Sequence, residues 1–216
     1  MLFGDVVGSR NDSGGSAAWL RDLVSELDGA YGEQSLAPFG FTQGDELQGL
    51  LSMAADPLTA VLRAALGPAA RPIRWVCIDG AVDPGEGPAT QRTGPAFVAA
   101  RDALDAARAG HERLVIRTGR PEADELLAGM TPALADLLEG LTPRQRVVAR
   151  LALVDGLRQS EVAERLGVRR ATISVSFARA RIQTLQRLAG AIRKVYSSAD
   201  AQPSDAPEGR AEGRTP

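Results

Sequence analysis

The chain has 216 residues, 44% of them hydrophobic and 4% aromatic, enough apolar material for a sizeable core but without the run of about 18 apolar residues that a membrane span needs. A single cysteine, Cys77, excludes an internal disulfide and a cysteine-built zinc site. The formal net charge of −2 hides an asymmetry: residues 1–140 carry twenty acids and eleven arginines, net −9, whereas residues 141–196 carry twelve basic groups and three acids, net +9.

In chain order, apolar runs alternate with helical periodicity. The pattern predicts a strand over 2–7, a helix over 17–31 and a hairpin of strands 39–43 and 46–52 joined through Gly44-Asp45. A helix over 57–66, a strand over 73–82, a Gly/Pro-rich loop over 83–93, a helix over 95–109 and a strand over 114–117 follow. The order βαββαβαβ predicts an α+β domain with helices against one face of a sheet, the ferredoxin-like or palm arrangement. Cys77, in Trp75-Val76-Cys77-Ile78, reads as a core residue and His111 as a surface residue in a polar turn. Loop 83–93 is long enough to serve as a lid, and an ordinary surface loop accounts for it equally simply.

A helix over 121–138 leads into the basic segment. There, Thr142 at an N-cap and Pro143 at the first helical position open a helix whose buried face is assigned to Val147, Val148, Leu151 and Val154. A two-turn helix over 159–166 ends at Gly167, which suits a left-handed C-cap. A third helix over 170–187 turns Ile173, Phe177 and Ala180 inward and leaves Arg170, Ala171, Thr172, Ser174, Val175 and Arg179 outside. A short helix, a glycine turn and a basic second helix predict an all-α three-helix helix-turn-helix domain that enters the major groove of double-stranded DNA. Residues 197–216 contain no large apolar residue and are expected to be disordered. The predicted domains are therefore 1–120, a connecting helix 121–140, the DNA-binding domain 141–196 and the tail 197–216.

Leu141-Thr142-Pro143-Arg144-Gln145-Arg146 and Val162-Ala163-Glu164-Arg165-Leu166-Gly167-Val168 resemble region four of sigma factors and the related LuxR-type output domains. The resemblance implies that Arg170, Thr172, Ser174 and Val175 read bases or adjacent phosphates while Arg169, Arg179 and Arg181 hold the DNA backbone. Arg169 stands where such modules often carry a capping serine, which exchanges a cap for a phosphate contact. No stretch matches the promoter-melting region two, so a regulator is expected rather than a working sigma factor.

Two acidic motifs mark the N-terminal half: Gly4-Asp5-Val6-Val7-Gly8-Ser9-Arg10, and Gln43-Gly44-Asp45-Glu46-Leu47-Gln48-Gly49 at the hairpin. Strand pairing places Asp5 and Asp45 at one sheet edge, the geometry two-metal phosphoryl-transfer sites use; a strand-end cap and a plain Gly-Asp turn account for each motif separately. With Gly94-Pro95-Ala96-Phe97-Val98-Ala99-Ala100-Arg101-Asp102-Ala103-Leu104, these motifs resemble the SatD family and, at longer range, class III nucleotide cyclases and GGDEF domains. That resemblance implies magnesium on Asp5 and Asp45 with a nucleotide whose phosphates lie near Arg101. Phe97 replaces the cyclase asparagine four residues before that arginine, which argues against turnover. The expectation is a cytoplasmic, homodimeric DNA-binding regulator, with no membrane partner, whose N-terminal domain senses a nucleotide or a partner. Two other readings stay open: a magnesium-dependent cyclase or phosphohydrolase, and a pure dimerisation module.

Overall fold

The computed structural model of the protein describes residues 1–8, 13–42 and 45–198. It is α+β, with a five-stranded sheet in the order β2-β3-β1-β4-β5. Strand β1 (Leu2–Val6) lies between β3 (Glu46–Leu51) and β4 (Ile73–Ile78), antiparallel to both. Strand β2 (Ser35–Phe41) pairs antiparallel with β3, and β5 (Leu114–Arg117) lies parallel to β4. Helix α1 (Ser13–Tyr31) connects β1 to β2, and α2 (Leu58–Leu66) connects β3 to β4.

Helices cover both faces of the sheet, not one. A parallel pair of strands needs a crossover connection, and α3 (Pro95–Ala109) supplies it between β4 and β5. Every residue of β1 and β4 is buried. Leu2, Val6, Ile73, Trp75 and Cys77 face a core shared with α1 and α2, while Phe3, Val76 and Ile78 face α3. Helix α3 presents Ala96, Ala100, Ala103 and Ala107, a stripe of small residues that lets it lie close to the strands. Burial pushes the Cys77 thiol up to about 11, as a core cysteine requires.

The element ends differ from expectation in ways that packing explains. Strand β2 begins at Ser35, upstream of Pro38, because an edge strand tolerates a proline. Strand β4 stops at Ile78, since its pairing with β5 ends at Arg117. Helix α1 begins at Ser13, earlier than its apolar periodicity indicates. The hairpin residues Gln43 and Gly44 lie outside the described residues, as do Ser9, Arg10 and the tail from 199. Loop 83–93 is anchored rather than free: Ala89 is fully buried and Asp83 N–H donates to the Thr93 carbonyl at 2.9 Å. His111 is exposed in a turn.

Helix α4 (Pro121–Glu139) leads to α5 (Pro143–Leu153), α6 (Gln159–Arg165), α7 (Arg170–Arg179) and α8 (Ile182–Ser197). Thr142 and Gln145 form a reciprocal capping box at the start of α5, and Gly167 leaves α6 at φ +63°. Val147, expected inside, is 47% exposed, and Val148 takes the buried position. The helix expected over 170–187 is two helices, broken at Arg181, whose φ is +50°. The break has a packing cause. Ile173, Phe177 and Ala180 define a stripe that an unbroken helix would continue at 184 and 188, but the buried residues are Ile182, Leu185, Ala189 and Ile192. A left-handed non-glycine residue, costing about 1–2 kcal/mol, resets the phase so that both stripes enter one core. Helix α8 then runs to Ser197, into the segment expected to be disordered, and buries Tyr196.

Candidate nucleic-acid interface

Ile173 and Phe177 anchor α7 against Val148, Ala149 and Ala152 of α5 and Val162 and Ala163 of α6 within a single buried cluster. With that face fixed, Arg169, Arg170, Thr172, Ser174, Val175, Arg179 and Arg181 are all exposed. Of these, Thr172, Val175 and Arg179 line one groove, Arg170 and Ser174 are exposed on the same helix, Arg169 is exposed at its N-cap, and Arg181 follows the end of α7 rather than lying within a longer helix. Val175 is 50% exposed on the same surface, an apolar group of the kind that meets a thymine methyl. Arg169 makes no side-chain cap, so the first N–H groups of α7 remain available to an anion.

Sequence reasoning missed Arg144 as a member of this surface. Thr142, the N-cap of α5, with Arg144 and Gln145 in its first turn, lines a groove with Thr172, Val175, Ser176 and Arg179 of α7. A basic residue in the first turn of a helix that abuts the recognition helix was the available signal.

The charge asymmetry resolves into two populations of arginine. Arg150 Nη2 donates to Glu26 Oε1 at 2.7 Å, beside Arg63 Nη1 at 3.0 Å, and Arg193 Nε donates to Asp56 Oδ2 at 2.7 Å. Burial alone would raise the Glu26 carboxyl, but the bonds from Arg150 and Arg63 hold it below its ordinary value. These pairs fasten α5 and α8 to α1 and α2, and Tyr196 OH donates to Asp79 Oδ1 at 2.7 Å beside them. Arg169, Arg170, Arg179 and Arg181 are in no ion pair among the described residues. The acidic part therefore neutralises the rear of the helical unit and leaves its front cationic.

The N-terminal motifs converge on the face of the sheet beneath α3. Asp5 and Glu46 are directly opposite in the β1–β3 register and are 7% and 6% exposed. Asp5 Oδ2 accepts from Arg74 Nη1 at 3.0 Å and Arg108 Nε at 3.1 Å, and Asp5 Oδ1 accepts from Arg108 Nη2 at 2.8 Å. These bonds push the Arg108 guanidinium pKa above its ordinary value despite partial burial. Arg101 grips both oxygens of Glu46, which also accepts from Gln48 Nε2 at 2.8 Å. The Arg101 guanidinium lies 5.2 Å from the Phe3 ring centroid, and Phe97 meets the same ring edge-on at 6.2 Å.

Asp45 is adjacent, its carbonyl accepting from Val6 N–H at 3.0 Å, but Glu46 is the hairpin acid in register with Asp5. Among the described residues no group of three or more His, Cys, Asp or Glu side chains is gathered to hold a metal ion. Asp5, Glu46 and Asp105, which accepts from Arg108 Nη1 at 2.9 Å, are each already paired with one or two of Arg74, Arg101 and Arg108. That donor set fits a buried ion-pair network and not a divalent cation. Strand alternation and the seven-residue spacing of Arg101 and Arg108 on α3 were the signals for this network. Gly94 in the third motif has a steric role: its φ is +133°, and a Cβ there would lie 2.6 Å from the Asp83 nitrogen.

Residues 132–183 match the family model described as Sigma-70, region 4. The match begins at Pro132 within α4 and ends just inside α8, so it takes in the second half of α4 as well as α5, α6 and α7. No curated protein and no solved structure matches the chain. No helix among the described residues is long and apolar enough to cross a membrane. Sigma-70 region 4 is a DNA-binding helix-turn-helix domain, and the chain is similar to it over those residues.

Proposed function

We propose that the protein is a transcriptional regulator that reads double-stranded DNA with α7 and whose sheet domain senses a ligand or partner. The observation that carries the reading is the outward face of α7: Arg170, Thr172, Ser174 and Val175 project from a helix anchored by Ile173 and Phe177. In this reading those four residues contact bases or nearby phosphates. Arg169, Arg179 and Arg181 hold the backbone, joined by Arg144. The functional division is a sheet domain over 1–120, a connecting helix over 121–140, the DNA-reading unit over 141–196 and a tail over 197–216. The antiparallel order β2-β3-β1-β4 supports the ferredoxin-like or palm assignment and, with the three motifs, the SatD resemblance. Edge strand β2, with Leu36 56% exposed, supports a homodimer that presents two α7 helices to a palindrome.

The nucleotide reading, with magnesium on Asp5 and Asp45 and phosphates at Arg101, requires Arg74 and Arg108 to release Asp5 and Arg101 to release Glu46. The ion pairs therefore favour a sensing site elsewhere. Selection of bound duplexes from a random library tests the DNA reading. Wild-type protein is expected to enrich one motif, and Arg170→Ala and Ser174→Ala to relax it at single positions. Enrichment of no motif, or of the same motif by all three proteins, would refute the reading.

A further inference from the structure

Helix α7 turns one side chain more squarely outward than any other. Ile173 and Phe177, its two buried anchors, are each two residues from Val175, and at about 100° per residue both lie about 160° round the helix from it. Val175 is 50% exposed, and its neighbours on that side, Ala171 and Ala178, are exposed and short. The foremost atoms of the face are therefore the Val175 methyls. They lie in the groove between α5 and α7, with Thr172 one turn before them and Arg144 and Arg179 lining the same groove.

An apolar group set among cations stays in contact with water until it is covered by a surface that is anionic outside and apolar at one point. Duplex DNA is such a surface, because thymine alone among the four bases carries a methyl group, at C5, into the major groove. The rest of α7 narrows the choice. Residues 170–179 include no Asn, Gln, Asp or Glu, so α7 has no amide to pair with adenine and no carboxylate to accept from the cytosine amino group. Ser176 Oγ already donates to the Thr172 carbonyl at 2.9 Å, and the hydroxyls of Thr172 and Ser174 suit donor and acceptor base edges alike. Arg170, in the first turn, suits guanine. Discrimination at the centre of the face is left to apolar contact.

We propose that α7 selects its DNA at the centre of this face by a pyrimidine C5 methyl group, received by Val175 with the methyl of Thr172 beside it. The proposal rests on the reading of α7 as the DNA-reading helix and names what that helix reads. 5-Methylcytosine carries the same group at the same ring position, so methylation of a cytosine at that step converts a poor site into a better one. Binding then responds to the methylation state of the DNA as well as to its sequence.

The test is fluorescence anisotropy of the full chain with the duplex that selection enriches, each thymine replaced in turn by uracil, and each T·A pair by C·G or by 5-methylcytosine·G. At one thymine, uracil should lower affinity about fourfold, the factor that corresponds to about 0.8 kcal/mol for one buried methyl. At the same step 5-methylcytosine should bind more tightly than cytosine by a similar factor. Val175→Ala should erase both differences with an unchanged circular dichroism spectrum, and Val175→Ile should keep them. Equal affinity for thymine and uracil at every position, or a preference that survives undiminished in Val175→Ala, would overturn the methyl reading and leave the DNA reading standing. A preference for thymine over uracil without one for 5-methylcytosine over cytosine would overturn the response to methylation alone. Failure of the protein to bind any duplex would refute the DNA reading and this proposal with it.

Discussion

Asp5→Asn removes one negative charge from a position where two guanidinium groups converge. The Asp5 and Arg74 side chains are each 10% exposed, whereas that of Arg108 is 40% exposed. Arg108 can regain water when its partner is neutralised, but Arg74 is left as a buried cation with only neutral acceptors, the Asn oxygen and the Glu112 carbonyl at 2.9 Å. Breaking a buried pair on one side costs about 3–5 kcal/mol. Rehydration of Arg108 and the retained Asn oxygen place this case near the lower bound, about 3 kcal/mol. At about 2–4 °C per kcal/mol for a chain of this size, Tm should fall by about 6–12 °C. Thermal and guanidinium melts followed by circular dichroism measure it, with EDTA making no difference. Adding Arg74→Met should recover most of the loss, because an apolar side chain does not need the missing charge. A Tm within about 2 °C of wild type, or above it, would refute the reasoning. That outcome belongs to crowded carboxylates awaiting a cation, not to carboxylates already paired.

Glu26 sits at the joint of α1, α2 and α5 with a carboxyl held below its ordinary value of 4.5. Because the folded value is depressed, its contribution is complete above about pH 4.5 and is lost as pH falls through the folded value; Glu26→Gln should show a shallower acid limb in a stability–pH profile. Gly94→Ala should destabilise the fold by about 2 kcal/mol or more, read as a shift in denaturation midpoint, because the added Cβ meets backbone and the φ of +133° is strained for alanine. Arg146→Met should leave Tm unchanged or raise it, since the buried Nε has no partner to lose.

Local chemistry made some elements legible and tertiary packing hid others. The start of α5 could be read because Thr142, Pro143 and Gln145 each act within four residues, and the end of α6 because Gly167 alone supplies the left-handed turn. The break at Arg181 has no glycine or proline to announce it, only a slip in the phase of buried residues between Ala180 and Ile182. The cover on both faces of the sheet was implicit in the unbroken apolar run of Ile73 to Ile78, which lacks the alternation of a half-exposed strand apart from Arg74. The ion pairs of the acidic site were not legible, because the first motif shows Asp5 but its partners Arg74 and Arg108 lie 69 and 103 residues away. The opposed segment charges likewise did not reveal which groups pair: Glu26 and Asp56 hold Arg150 and Arg193 at the rear of the helical unit.

If α7 reads DNA through its arginines, affinity must fall steeply with salt. Fluorescence anisotropy of a labelled duplex carrying the selected motif, titrated at several salt concentrations, should give a steep log K against log salt. Arg179→Ala should lower affinity on all sequences and flatten the slope by about 0.9, the release expected for one phosphate contact. A slope near zero, or one unchanged when Arg169, Arg170 and Arg179 are all replaced by alanine, would contradict the assignment of α7 as the DNA-reading helix.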